Sequence, residues 1–142
     1  MKVKQLSLFL ENEPGALRRP VDLLASARLN ILALQVADTA HFGILRLIVQ
    51  DWEKAKRLLE KGKFVVKVTD MVAIEVGNAP GGLSKILDAL APTHVNLEYM
   101  YGFTEKQKGK GILLFRFDDP DKAIEVLSRK KINPLTEVEL FG

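Results

Sequence analysis

Two short stretches of this chain carry residues whose types and spacing suit the capture of a small zwitterion. Asn12-Glu13-Pro14-Gly15-Ala16-Leu17 lies between an apolar strand-like run, residues 6–10, and a helix-like run that reaches Arg28. Asn78-Ala79-Pro80-Gly81-Gly82-Leu83 lies 66 residues further on, between a second apolar run and a second helical pattern. Pro fixes φ and needs no N–H partner at a helix start, and Gly lets backbone come close to another group. The unpaired N–H groups of such a helix start, with the dipole behind them, suit a carboxylate. The amide oxygens of Asn12 and Asn78 could accept from an ammonium group, as could those of Asn30 and Asn96, which stand at the start of the second strand of each half. An amino acid requires both kinds of partner. Turn chemistry alone accounts for one Pro-Gly pair, and Asn also serves in turns. The recurrence in register asks for a further reason.

Composition narrows the classes. A chain of 142 residues makes one ordinary domain or two small ones, and 47% hydrophobic with 27% charged residues is typical of a globular protein. There is no Cys, which removes disulfides, thiolate metal sites and a Cys nucleophile, and makes the cytoplasm the expected compartment. His41 and His94 are far apart and neither has a metal ligand at suitable spacing, so no metal site is expected. The residues call for no cofactor. A net charge of +3 does not argue for nucleic acid. Basic residues alternate with acids, as in Glu53-Lys54-Ala55-Lys56-Arg57, which reads as a solvated helix face. The start shows no signal peptide, and no apolar run approaches the roughly 20 residues needed to cross a bilayer.

The elements that must position the two stretches repeat as well. Residues 3–11 alternate, with Leu6, Leu8 and Leu10 on one face and Gln5, Ser7, Phe9 and Glu11 on the other, which predicts a strand. A helix is expected over 16–28, with Pro20 either distorting its first turn or marking its regular start. Strands follow over 30–37 and 43–50, joined by a turn at 38–43, the latter strand central because only Arg46 interrupts its apolar run. Asp51 caps a helix over 52–61, Gly62 stops it, and 64–69 is a fourth strand. The second half reads the same way. A strand covers 71–77, a helix 81–91 with Leu83, Ile86, Leu87 and Leu90 inward, a strand 95–103, a polar loop 104–110 and a strand 111–117. Asp119 then caps a helix with Pro120 first that runs to Arg129, and a last strand covers 135–141. Asp51 matches Asp119 and Lys54-Ala55 matches Lys122-Ala123 once the second hairpin gains two residues. The expected fold class is α+β, with two ferredoxin-like βαββαβ domains, residues 1–69 and 70–142. Their antiparallel sheets are expected to pack side by side, since each half alone buries little core.

Many functions use the βαββαβ plan, so the loop narrows the choice. Asn-x-Pro-Gly-x-Leu after the first strand resembles the ligand loop of ACT domains, small modules that sense amino acids. Asn30 and Asn96 match another position that amino-acid-binding ACT domains use. The whole chain resembles the stand-alone tandem-ACT proteins of prokaryotes, particularly through Asn30-Ile31-Leu32-Ala33-Leu34, Phe42-Gly43-Ile44-Leu45-Arg46-Leu47-Ile48-Val49 and Asn96-Leu97-Glu98-Tyr99-Met100-Tyr101. One departure is that some amino-acid-binding relatives carry His two residues before the loop Asn, where this chain has Leu10 and Val76. The resemblance implies a non-catalytic regulator that binds a small amino acid where two ACT domains meet and modulates amino-acid-related metabolism. The implied contacts are Asn12, Glu13, Pro14, Gly15, Ala16, Leu17, Asn30, Asn78, Ala79, Pro80, Gly81, Gly82, Leu83 and Asn96. A homodimer and a metabolic enzyme partner are implied, with no nucleic acid and no membrane.

Three alternatives use the same plan. A ligand-free interaction module would act on a partner enzyme. Acylphosphatases need an Arg and an Asn around a phosphate loop; no Arg lies in either loop here, and Arg18 and Arg19 fall just after the first. RNA-recognition motifs stack bases on sheet aromatics, but Phe115 and Phe117 share a side with Leu113 and read as core. Tyr99, Met100, Tyr101 and Phe42 read as selectivity residues or as core and interface.

Overall fold

The computed structural model describes residues 1–38, 41–77, 79–105 and 109–142. The chain divides into two compact units, Lys4–Thr69 and a second made of Met1–Val3 with Asp70–Gly142.

In the first unit, β1 (Val3–Glu11) leads to α1 (Arg18–Ser26), β2 (Ile31–Asp38), β3 (Phe42–Val49) and α2 (Trp52–Lys61), and the chain then enters β4 (Val66–Gly77). β3 lies between β2 and β1, antiparallel to both. Leu6 opposes Leu47 and Leu8 opposes Leu45, and these four join Leu10, Leu24, Val49, Ala55 and Leu59 in one buried core. The alternation of β1 therefore selects its buried face, while Phe9 on the other face stays exposed. Arg46, the one charge in β3, opposes Ser7 and Gln35 away from the core and donates to Gln35 Oε1 at 2.8 Å. Pro20 is the third residue of α1. There its missing N–H has no intrahelical acceptor in any case, so the helix begins without distortion.

In the second unit, Met71 onward in β4 leads to α3 (Gly82–Leu90), β5 (Leu97–Glu105), β6 (Lys110–Phe117) and α4 (Pro120–Arg129). β6 pairs antiparallel with both β4 and β5. Val72, Ile74, Ile86, Ala89, Leu90, Phe115, Phe117, Ala123 and Leu127 form its core. Asp51 and Asp119 cap α2 and α4, each accepting from the backbone N–H three residues on, at 3.4 and 3.1 Å.

Four expectations need correction. The strands expected over 64–69 and 71–77 are one strand, β4, because Thr69 and Asp70 continue its extended backbone. The strand expected over 135–141 is instead a helix, α5 (Glu137–Phe141). Thr136 and Glu139 form a reciprocal capping box there, with the Glu139 N–H to Thr136 Oγ1 at 3.2 Å and the Thr136 N–H to Glu139 Oε1 at 3.2 Å. Only a trace of strand pairing survives before it, where the Leu135 N–H donates to Ala73 O at 2.7 Å. In α3, Leu83 and Leu87 are exposed and Ala89 takes an inward place, because the buried stripe runs Ile86, Ala89, Leu90. Finally, Thr104, Glu105 and Lys110 belong to strands rather than to the polar loop, whose residues 106–108 lie outside the described residues, as do Thr39 and Ala40 of the first hairpin turn.

Candidate functional site

The first Pro-Gly loop is a chain of tight turns that starts where β1 ends. The Asn12 N–H donates to His41 O at 3.3 Å, which ties the loop to the β2–β3 hairpin. The Glu13 N–H donates to Glu11 O at 2.9 Å, Ala16 to Glu13 O at 3.3 Å and Arg18 to Gly15 O at 3.2 Å. Gly15 has φ of +85°, and a Cβ there would meet nothing within 4 Å. The residue is required for its backbone angle and not for space. Of the donors expected to hold a carboxylate, the Ala16 N–H is already engaged. Those of Gly15 and Leu17 have no backbone acceptor among the described residues. Asn12, Glu13, Pro14, Gly15 and Leu17 are exposed and Ala16 is half-buried.

The second loop repeats this geometry in part. Gly81 has φ of +98° with open space around it, and the Ala79 N–H donates to Gly77 O at 2.8 Å, as Glu13 does to Glu11. The N–H groups of Gly81, Gly82 and Leu83 have no backbone acceptor among the described residues. Gly82, which stands where the first loop has Ala16, sits close to the strand end. A Cβ there would lie 3.4 Å from both Gly77 O and Val76 Cβ, an ordinary contact distance, so an alanine as in the first loop would fit. Ala79, Pro80, Gly81 and Leu83 are exposed, and Asn78 lies outside the described residues.

Asn30 and Asn96 sit elsewhere. Ile31 opposes Val49, whereas the first loop leaves β1 where Glu11 opposes Phe42. Seven residues of β3 separate those ends, roughly 20 Å of strand. Asn96 stands likewise beside Asp118, at the Phe117 end of β6, while the second loop leaves β4 where Gly77 opposes Lys110. Within a unit, therefore, the loop and the strand Asn lie at opposite ends of the sheet. The Asn96 N–H donates to Asp118 Oδ1 at 2.9 Å, leaving its side chain exposed.

Arg19, which in sequence only follows the first loop, comes back to it in space. A cleft of about 420 Å³ beside the first loop is lined by Phe9, Glu11, Glu13, Pro14, Arg19 and Phe64, among others. Arg19 lies with Cζ 4.7 Å from the centre of the Phe64 ring, and its Nη2 donates to Gly62 O. Phe64 is 45 residues from Arg19, so no local pattern announces the pair. Arg18, by contrast, pairs with Asp22 at 3.3 Å, one helical turn on. Beside the second loop, Lys110 Nζ pairs with Glu75 at 2.9 Å, and that hydrogen bond raises the lysine pKa above its ordinary 10.5.

Other features do not form a reacting set. A hollow lined by His94, Asp118, Asp119, Lys122 and Arg129 lies at the opposite end of the second unit from its Pro-Gly loop. Its two acids already serve as acceptors for Asn96 and Lys122 backbone N–H groups. No group of three or more metal-ligating side chains occurs among the described residues. Phe115 and Phe117 stack at 5.4 Å inside the core, both fully buried, so they offer no platform for bases. Met100 packs against that core, while Tyr99 and Tyr101 oppose Arg116 and Leu114 on the other face. No described helix is long and apolar enough to cross a membrane.

Comparison with known proteins agrees with this architecture. The chain is 42% identical to protein BT0572 from Bacteroides thetaiotaomicron, with a TM-score of 0.93, covering 99% of this chain and 96% of that one. The regulatory subunit of aspartate kinase from Thermus thermophilus shares the fold at a TM-score of 0.61 and 16% identity, covering 89% of this chain and 91% of that one. The acetolactate synthase small subunit of Buchnera aphidicola subsp. Baizongia pistaciae is 35% identical over 74 residues, which are 52% of this chain and 46% of that protein. The chain thus spans about half the length of that curated relative. A family model described as an ACT domain pair matches residues 1–142. With two strand–helix–strand–strand–helix repeats, each turning from strand to helix through a left-handed glycine after proline, the chain belongs to the family of paired ACT domains.

Proposed function

We propose that this chain is a non-catalytic regulator that binds a small amino acid at its Pro-Gly loops, between ACT domains, and so modulates an enzyme of amino-acid metabolism in the cytoplasm. The observation that carries the reading is the placement of the loops and the strand asparagines. Each loop offers exposed N–H donors beside a left-handed glycine. Asn30 and Asn96 stand at the far end of their own units, so a ligand that touches a loop and such an Asn takes the Asn from another domain. Contact with two domains gives a ligand differential affinity for their arrangements, which regulation without chemistry requires. The names of similar proteins, a regulatory subunit of aspartate kinase and a small subunit of acetolactate synthase, support the same direction. A second copy of the chain is the expected partner. Among the described residues β2 pairs with β3 on one side and is otherwise an edge strand, and Leu34 and Val36 on it are exposed at 48% each.

The test is a thermal-shift screen of the full chain against the twenty amino acids and a few aryl acids at millimolar concentration. Binding to the folded state raises the midpoint by mass action. The expected result is a shift with one chemical group of amino acids that Asn12→Ala removes. A flat screen would reduce the loops to turns and overturn the reading.

A further inference from the structure

We propose that the two Pro-Gly loops are not equivalent, and that the cleft beside the first is the amino-acid site. Arg19 takes the ligand carboxylate there and Glu11 and Glu13 take the ammonium, while the strand Asn of another domain meets the ligand from the open side. This rests on the reading above that the loops bind an amino acid.

The cleft holds both signs of charge in one unit. Glu11, Glu13 and Arg19 all line it, with Phe9, Pro14 and Phe64 supplying apolar wall. Arg19 is held in place before any ligand arrives. Its guanidinium lies over the Phe64 ring, with Cζ 4.7 Å from the centroid, and one N–H donates to Gly62 O. Among the described residues no carboxylate pairs with it. A planar fork whose orientation is already restrained suits a carboxylate, because less side-chain freedom is lost on binding.

The second loop lacks each part of this arrangement. Gly77 and Ala79 stand where the first loop has Glu11 and Glu13, so the two acids are missing. The nearby acid Glu75 is already paired with Lys110. Lys85 stands in place of Arg19 and Ile132 in place of Phe64, which substitutes a flexible point charge without an aromatic platform. Glu11 and Glu13 also set selectivity. A neutral or basic side chain is accepted beside them, whereas the second carboxylate of aspartate meets like charge.

The experiment is isothermal titration of the full chain with L-leucine, L-lysine and L-aspartate. One leucine or lysine per chain is expected, with aspartate weaker. Arg19→Met should weaken binding about tenfold or more, the scale of one hydrogen bond to a charged group. Arg19→Lys should fall between, and Lys85→Met should leave binding unchanged. Both side chains are exposed, and circular dichroism checks that the variants fold. Glu13→Gln gives a second, independent loss. Two ligands per chain, tightest binding of aspartate, or equal losses in Lys85→Met and Arg19→Met would overturn the inference while leaving amino-acid binding in place. Absence of binding by any of the twenty amino acids would instead remove the parent reading.

Discussion

Gly62 shows how a residue's type and its reason can part company. After α2 it reads as the glycine that ends a helix, yet its φ is −75°. The left-handed position belongs to Lys63, with φ of +70°, and Lys131 at the matching place after α4 has +60°. Both turns close alike, with Phe64 N–H to Leu59 O at 3.0 Å and Ile132 N–H to Leu127 O at 2.9 Å. Gly62 packs closely instead: a Cβ there would lie 2.6 Å from Leu23 Cδ1, the movable end of a side chain, and 3.3 Å from Leu59 O, and the matching Lys130 after α4 does carry a Cβ. Lys63→Gly is therefore expected to stabilise the chain by about 0.5–1 kcal/mol, since glycine escapes the left-handed penalty but adds freedom to the unfolded chain. Gly62→Ala should change stability little if the Leu23 side chain turns aside, and lower it if that methyl is held. Urea denaturation of both variants checks the signs. At the Pro-Gly loops Gly15 and Gly81 answer to backbone angle, with open space around each. Residue type was legible at each place, while which constraint acts on it came from neighbours.

At the scale of the element, alternation and caps were reliable wherever they agreed. β1 and α2 have the bounds their patterns predict, because Leu6, Leu8 and Leu10 alternate cleanly and Asp51 marks the helix start. Residues 135–141 misled for a specific reason. Leu135-Thr136-Glu137-Val138-Glu139-Leu140-Phe141 alternates like a strand, but Thr136 and Glu139 also have capping-box spacing, and the cap prevails. Val138 is left 81% exposed while Leu140 is buried, as one face of a short helix requires. Thr136→Ala should cost about 1 kcal/mol, the usual value of such a cap. Amide exchange should then be faster in residues 137–141 than in β6. No change there would mean that packing of Leu140 alone holds the helix.

At the scale of the whole chain, contact and sequence order diverge at the N-terminus. Met1–Val3 belongs with Asp70–Gly142, Lys2 Nζ lies 3.0 Å from Asp121 Oδ1, and Val3 is 1% exposed. Deleting residues 1–3 should accordingly speed exchange in α4 more than in α1 and α2. The hydrogen bond and charge of Asp121 raise the Lys2 pKa above 10.5, as Glu75 does for Lys110. A raised lysine pKa stabilises the fold below the unfolded value and stops doing so as pH rises through the folded one. Both pairs lie in the second unit, so its amides should lose protection first above about pH 10.5, beyond the intrinsic pH effect on exchange. Lys110→Met should reduce that alkaline loss, and an unchanged profile would count against the assignment.

What the residues determined by themselves was the repeat and its plan. Hydrophobic period, Pro, Gly and Asp caps act over a few neighbours, so they survive in a one-dimensional reading and yield two strand–helix–strand–strand–helix repeats with a Pro-Gly loop in each. Tertiary structure alone decided that β4 runs on through Thr69 and Asp70, that each strand Asn lies across the sheet from its own loop, and that Arg19 meets Phe64 and Gly62 beside the first loop only. Those facts depend on residues tens of positions apart arriving at one place. That arrival is set by how a whole core closes, and no local spacing records it.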